Sequence, residues 1–244
     1  MMLCSLVGDP FAWATQQGGY ICHDLLPVKG LENEQVGASS ECVLRWHTED
    51  AFHPYRGDYL GLMCFRNPDN TATTIGSLDI SLLTEEEIEV LFEPRFQIKP
   101  DDSHLPEAQG RTDFWQGREK ERLAKSLDEM SKAVHESPKV PLLYGDKSAP
   151  FICADPVYMD QPANDNTGSA AFQSLIEALD KNLEDIVLKP GDVVIADNAR
   201  VIHGRQPFKA RYDGNDRWLK RVNVSADLRK SFPVRGGESR RQIF

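Results

Sequence analysis

His47 and Glu49 stand two residues apart in WHTED, the stretch from Trp46 to Asp50. On an extended strand that spacing puts both side chains on one face. A second imidazole from a distant strand would complete three ligands around one metal, and His203, in ADNARVIHGR, is the candidate. Two imidazoles and one carboxylate leave half an octahedron open, the arrangement by which non-haem Fe(II) sites admit a co-substrate and O₂. Taken alone, His-x-Glu is a short pattern that chance often produces, and an exposed pair at a strand end is the plainer reading.

The residues after His203 add to the pattern. Arg217 follows by fourteen positions, room for the chain to return and set a guanidinium beside the metal for a two-pronged pair with a carboxylate. Arg221, four further on, faces the same side of a strand, so two arginines aimed into one pocket call for two anionic groups. Without the upstream motif, Arg217, Lys220 and Arg221 would read as a solvated basic edge.

Strands must carry these residues. The apolar run YLGLMCF at 59–65, between turn signals at 56–58 and 67–70, reads as a buried strand, and ATTIGSLDISL is β-prone. VVIA at 193–196 leads into the loop before His203, and 218–224 alternates as a returning strand. Residues 20–26 and the stretches VPLLYGD and PFICADPVYM are further β segments, whereas 8–10 reads as a turn and 31–40 as a loop. Thr84 caps an acidic short helix that stops before Pro94, 110–136 has helical spacing, and 169–183 is a helix whose stripe of Phe172, Leu175, Ile176 and Leu179 is core. His53 precedes Pro54 and reads as a packing residue in a loop; His104 and His135, in polar surroundings, read as exposed. The tail from Lys230 reads as frayed.

The chain has 244 residues, 40% of them hydrophobic, enough for one domain spanning 1–244 with a substantial core. A net charge of −10 argues against a nucleic-acid or anionic-membrane binder. Five scattered cysteines without C-x-x-C spacing are read as reduced thiols, which points to the cytoplasm. The opening MMLCSLVGDPFAWA lacks a basic start, and no run reaches membrane-spanning length.

From about Val7 to Val224 the chain resembles the clavaminate synthase-like branch of Fe(II)/2-oxoglutarate oxygenases, most of all the free amino acid hydroxylases of the viomycin-pathway arginine β-hydroxylase group. The likeness is carried by WHTEDAFHPYRGDYLGLMCFRNPD, ADNARVIHGR and the arginine fourteen beyond that histidine. It implies a mostly β fold with flanking helices around a double-stranded β-helix, a jelly-roll of cupin type. It also implies hydroxylation of a free basic L-amino acid, arginine, lysine or a close analogue, at an unactivated carbon. Fe(II) is the implied cofactor and 2-oxoglutarate and O₂ the co-substrates. Residue by residue, it implies His47, Glu49 and His203 on the metal, with Arg217 and Thr74, chosen over Thr73, on the far carboxylate of 2-oxoglutarate. Arg221 would meet the substrate carboxylate, and Gln16 and Glu49 its α-amino group, with Gln17 leaving the register open by one. Asp101 and Ser103 would belong to a lid segment, and Asp101 and Asp155 would face the cationic side chain. Arginine-specific relatives carry an acid two positions past Asp155, where this chain has Val157. Relatives also have a region before the segment resembling WATQQGG, so a fragment or a shortened variant is expected. An inactive remnant that binds a metabolite or partner, and an oxygenase turned to desaturation or cyclisation, are the competing readings.

Overall fold

The structure, a computed structural model, describes residues 1–244 apart from 111, 114, 163 and 237–239. In chain order its strands are β1 (Asp9–Trp13), β2 (His23–Leu25), β3 (Leu44–His47), β4 (Tyr59–Arg66), β5 (Thr73–Ser77), β6 (Phe96–Gln97) and β7 (Lys139–Val140). After these come β8 (Leu143–Asp146), β9 (Ala149–Ile152), β10 (Leu183–Ile186), β11 (Val193–Asp197), β12 (Val201–Arg205), β13 (Trp218–Ser225) and β14 (Gln242–Ile243). The helices are α1 (Glu85–Leu91), α2 (Arg118–Glu136) and α3 (Asn166–Asp180). One sheet runs β11-β4-β13-β1-β14 with β2 also on β13, and a second runs β10-β5-β12-β3. This is the expected jelly-roll: mostly β, with helices on its flank.

Alternation along the second sheet separates two environments. His203 lies directly opposite His47 on β3 and opposite Ile75 on β5, so these side chains share one face. Trp46 and Ile202, one residue away on each strand, point to the other face and join the largest apolar cluster with Leu91, Leu175 and Leu179 from α1 and α3. Burial of that face fixes the register, because a slip of one residue would turn both histidines into the helical layer. Between the sheets Leu60, Leu62, Cys64 and Leu219 pack with Ile186.

Local chemistry sets the helix ends. Thr84 and Glu87 form a reciprocal capping box on α1, and Asp165 caps α3 by accepting from the Gly168 N–H at 2.8 Å, so α3 starts and ends three residues before the 169–183 expectation. Three other expectations need correction. Residues 8–10 are not simply a turn, since Asp9 opens β1, which pairs antiparallel with β13. Glu49 lies just past β3, whose last residue is His47. The described parts of the tail from Lys230 are docked, not frayed: a 3-10 helix runs Leu228–Val234, and β14 adds parallel to β1, burying Ile243 against Phe11 and Trp13, while 237–239 lie outside the described residues. That apolar docking holds a segment whose composition alone reads as loose. Among the described residues no helix is long and apolar enough to cross a membrane.

Candidate active site

β12 carries His203 against His47 because Gly204 allows the close approach of β3: a Cβ there would lie 2.6 Å from the Leu44 carbonyl oxygen. The Nε2 atoms of His47 and His203 lie 3.7 and 3.3 Å from Glu49 Oε2, and the three ligand atoms fall within 4.8 Å of one another. Glu49 Oε2 is buried with no hydrogen-bond partner among the described residues. His47 Nδ1 lies 3.0 Å from the Arg45 carbonyl, which can only accept, so that nitrogen keeps the proton and Nε2 faces the centre. An orphaned carboxylate oxygen between two imidazole nitrogens fits a divalent cation of the Fe(II) type. Asn198 fixes the carboxylate's backbone from both sides, accepting from Glu49 N at 2.7 Å and donating to Glu49 O at 3.0 Å.

The charges at this centre are set by burial and by each other. Burial opposes charge on His47, yet the Glu49 carboxylate and Asp155 outweigh it and push the pKa up to about 9. Burial and the neighbouring His47 charge push His203 down. Burial would raise Glu49, but Arg221, His203 and His47 together hold it well below the usual carboxylate range. A bound cation requires both imidazoles neutral, so it displaces the proton from His47.

Arg221 reaches the centre from β13. It pairs with Glu49 Oε1, donates to Gln16 Oε1 at 2.6 Å and lies 2.8 Å from His23 Nδ1. His23 is pushed down to about 3 by burial and by that guanidinium, so it stays neutral and accepts. Gln16 donates onward to Ser103 Oγ at 2.6 Å, and Ser103 donates to Asp101 Oδ1 at 2.5 Å. Gln17 instead bonds the backbone of Asp24, so of the two glutamines it is Gln16 that joins the Arg221 network. Asp155 accepts from the N–H groups of Val157 and Tyr158, and burial pushes its pKa up to about 6.

Arg217 is buried, turned inward, and donates to Thr73 Oγ1 at 3.1 Å. Thr74, expected beside it, points to the opposite face of β5 and donates to Asp185 Oδ1 at 2.7 Å. The correction follows from register. Thr73 shares the face of Ile75 and His203, whereas Thr74, one residue on, cannot. Arg205 lies opposite Thr73 on the same sheet, its guanidinium held by the Ser39 and Cys42 carbonyls. Among the described residues neither arginine has a carboxylate within ion-pair distance, and burial brings each down to about 10. Arg205 spends its N–H groups on the Ser39, Cys42 and Gln206 oxygens, whereas Arg217 Nε is buried with no partner among the described residues, so Arg217 is the guanidinium left open to a carboxylate.

Sequence reading passed over His23 and Asn198, ranked Thr73 behind Thr74 and placed His104 at the surface. Only Asn198 left a signal, a polar residue closing a buried strand in IADNAR. His104, expected at the surface, is 1% exposed. It lies near Asp50 and Asp101 in a second group close enough to hold a cation, but Asp50 there already accepts from Trp13, Asn223 and His104. His53 packs on Trp13 with ring centroids 4.2 Å apart and is a packing residue, as expected.

Such a fold and centre define a class: a jelly-roll oxygenase with a His-x-Glu and distal His site. The chain belongs to the TauD/TfdA dioxygenase family. The family model described as "Taurine catabolism dioxygenase TauD, TfdA family" matches residues 113–223. Its place within the family is among the clavaminate synthase-like enzymes. It is 44% identical over 243 residues to enduracididine beta-hydroxylase of Streptomyces hygroscopicus, covering 100% of this chain and 71% of that protein. It is 43% identical over 248 residues to L-ornithine/L-arginine 3-hydroxylase of Catenulispora acidiphila, with the same coverage of 100% and 71%. The solved structure of the non-heme iron oxygenase OrfP with Fe, succinate and (3S)-hydroxy-L-Arg superposes with a TM-score of 0.91 at 44% identity, covering 100% of this chain and 70% of that one.

Proposed function

We propose that this protein is a 2-oxoglutarate-dependent dioxygenase that hydroxylates a free basic L-amino acid at an unactivated side-chain carbon. The observation that carries the reading is the orphaned Glu49 oxygen facing two imidazole nitrogens, together with the buried Arg217 guanidinium that has no carboxylate partner among the described residues. His47, Glu49 and His203 would hold Fe(II), which with O₂ and 2-oxoglutarate supplies the oxidation: one oxygen atom enters the amino acid, the other enters succinate, and CO₂ leaves.

This chain's own residues bind and orient. Arg217, with Thr73 in place of Thr74, receives the far carboxylate of 2-oxoglutarate, and the charge of Arg205 adds to that site. Arg221 receives the substrate carboxylate; Gln16 Oε1 and Glu49 accept from its α-ammonium. Asp155, buried and with no cationic side chain at ion-pair distance among the described residues, takes the basic side chain together with Asp101, which Ser103 holds in place. Fixing both ends of the substrate decides which carbon meets the iron. With Val157 where arginine-specific relatives carry an acid, arginine, ornithine, lysine and close analogues all belong in the test. Five free cysteines fit a reducing, cytoplasmic setting.

The test supplies Fe(II), ascorbate and 2-oxoglutarate with L-arginine, L-ornithine, L-lysine and L-citrulline. At least one must drive succinate release and gain one oxygen atom, and His203→Ala must abolish both. Binding of 2-oxoglutarate with no succinate from any amino acid would mark an inactive homologue, and a product two hydrogens lighter would mark desaturation.

A further inference from the structure

Behind the residues that line the centre lies a second layer made of their chain neighbours. Gln16, Glu49 and Ser103 face the centre, while Thr15, Asp50 and His104, each next in sequence to one of them, meet in a single buried cluster. His104 Nε2 lies 3.1 Å from Asp50 Oδ1, and Nδ1 lies 2.8 Å from Thr15 Oγ1. Asp50 Oδ2 accepts from Trp13 Nε1 at 2.5 Å and Asn223 Nδ2 at 3.0 Å. The edges of the imidazole pack on Trp13 and Phe52, with centroids 5.8 and 5.0 Å away. Asp50 itself adopts φ 52°, a left-handed conformation uncommon outside glycine though more accessible to aspartate than to most residues. The three bonds to its carboxylate hold its side chain in the cluster.

The turn containing Asp101 and Ser103 has little else to hold it. It is a 3-10 helix of three residues, Asp102–His104, capped by the Asp101 side chain. So short a 3-10 turn has weak internal bonding and depends on tertiary contacts. On its outer side Tyr158 donates to Asp102 Oδ2 at 3.1 Å, an exposed contact. On its inner side, among the described residues, it is anchored by the Gln16 bond to Ser103 and, wholly out of water, by His104.

We propose that His104 is a positioning residue, a latch that docks the 101–104 turn onto the backbone just past Glu49 so that Asp101 and Ser103 stand ready for a basic amino acid. The inference rests on reading the pocket as an amino acid site. In it, Asp50 and Thr15 are the two halves of the catch, and each ties the turn to a segment that bears a substrate-facing or metal-facing residue. Losing the latch frees Ser103 from Gln16 and Asp101 from the pocket, and leaves the Arg217 site untouched.

The wild type, His104→Phe and His104→Gln decide it. Phenylalanine keeps the ring and loses both hydrogen bonds, whereas the glutamine amide can still donate to Asp50. Amide hydrogen exchange at 102–105, measured without ligand, should quicken about tenfold to a hundredfold in His104→Phe and less in His104→Gln. Titrated into Mn(II)-loaded protein with 2-oxoglutarate, L-arginine and L-ornithine should bind about tenfold more weakly to His104→Phe, while 2-oxoglutarate binds within about twofold of wild type. Wild-type exchange rates in His104→Phe overturn the proposal; so does an equal weakening of amino acid and 2-oxoglutarate, the mark of a general structural loss. If His104→Phe does not fold, Thr15→Val removes one of the two bonds and is judged by the same criteria. Failure of both amino acids to bind wild type would sink the pocket reading, and the exchange rates would still decide the latch.

Discussion

Replacing Asp155 by asparagine separates what this carboxylate does to the fold from what it does for the substrate. It is buried, accepts only two backbone N–H groups, and has no cationic side chain at ion-pair distance among the described residues. Burial raises its pKa from 3.8 to about 6, against the opposing pull of His47. The folded pKa lies above the unfolded one, so the folded state keeps the proton longer. The stability this contributes is fully present below pH 3.8 and lost as pH rises through 6. Roughly two pH units at ~1.4 kcal/mol each place the loss at about 3 kcal/mol by pH 7.5. Asparagine cannot ionise, and its Oδ1 can accept the same two N–H groups. Asp155→Asn should therefore be more stable than wild type by about 3 kcal/mol at pH 7.5, a gap that shrinks below about 1 kcal/mol by pH 4. For a chain of this size the gain corresponds to a Tm about 6–12 °C higher. Calorimetric melts of the metal-free proteins across that pH range read it directly. The same variant should bind L-arginine about tenfold or more weakly, having lost the buried anion. A stability gap of equal size at pH 4 and pH 7.5, or none at pH 7.5, would refute the assignment of Asp155 as a buried charge awaiting a cation.

Thr73→Val should weaken 2-oxoglutarate binding by about threefold to tenfold through loss of one hydrogen bond, and Thr74→Val should leave it unchanged; isothermal titration of Mn(II)-loaded protein separates them. Gly204→Ala sets a Cβ against the Leu44 carbonyl, so it should destabilise by about 1–3 kcal/mol in denaturant melts and also weaken metal binding, because β12 must withdraw from β3. Mn(II) affinity should rise about tenfold per pH unit between pH 6.5 and 9, since the metal displaces the His47 proton; calorimetry in two buffers would show that proton released, and a flat profile would count against His47 as a ligand.

Much of the centre was legible in the sequence because it depends on short-range spacing. His47 and Glu49 are close neighbours in the chain and both reach the centre, although Glu49 does so from the turn just past β3 and not by strand alternation, and the distance from His203 to Arg217 suits a returning strand. The box at Thr84 and Glu87 and the apolar stripe of Phe172, Leu175 and Leu179 are likewise local, and they appear where the residues predict. Other features were out of reach because they are decided between strands. Thr73 and Thr74 are chemically alike and adjacent, and only the pairing of β5 with β12 says which one meets Arg217. His104 lies among polar neighbours, yet it is buried because two distant segments, 13–15 and 50–52, close around it. Nor does the tail's composition foretell its docking, which rests on the edge that β1 offers to β14. The sequence by itself thus determined the donor types and the faces they occupy; the tertiary structure decided which donors meet, because a contact between distant strands is set by sheet register and burial, which no local stretch of chain encodes.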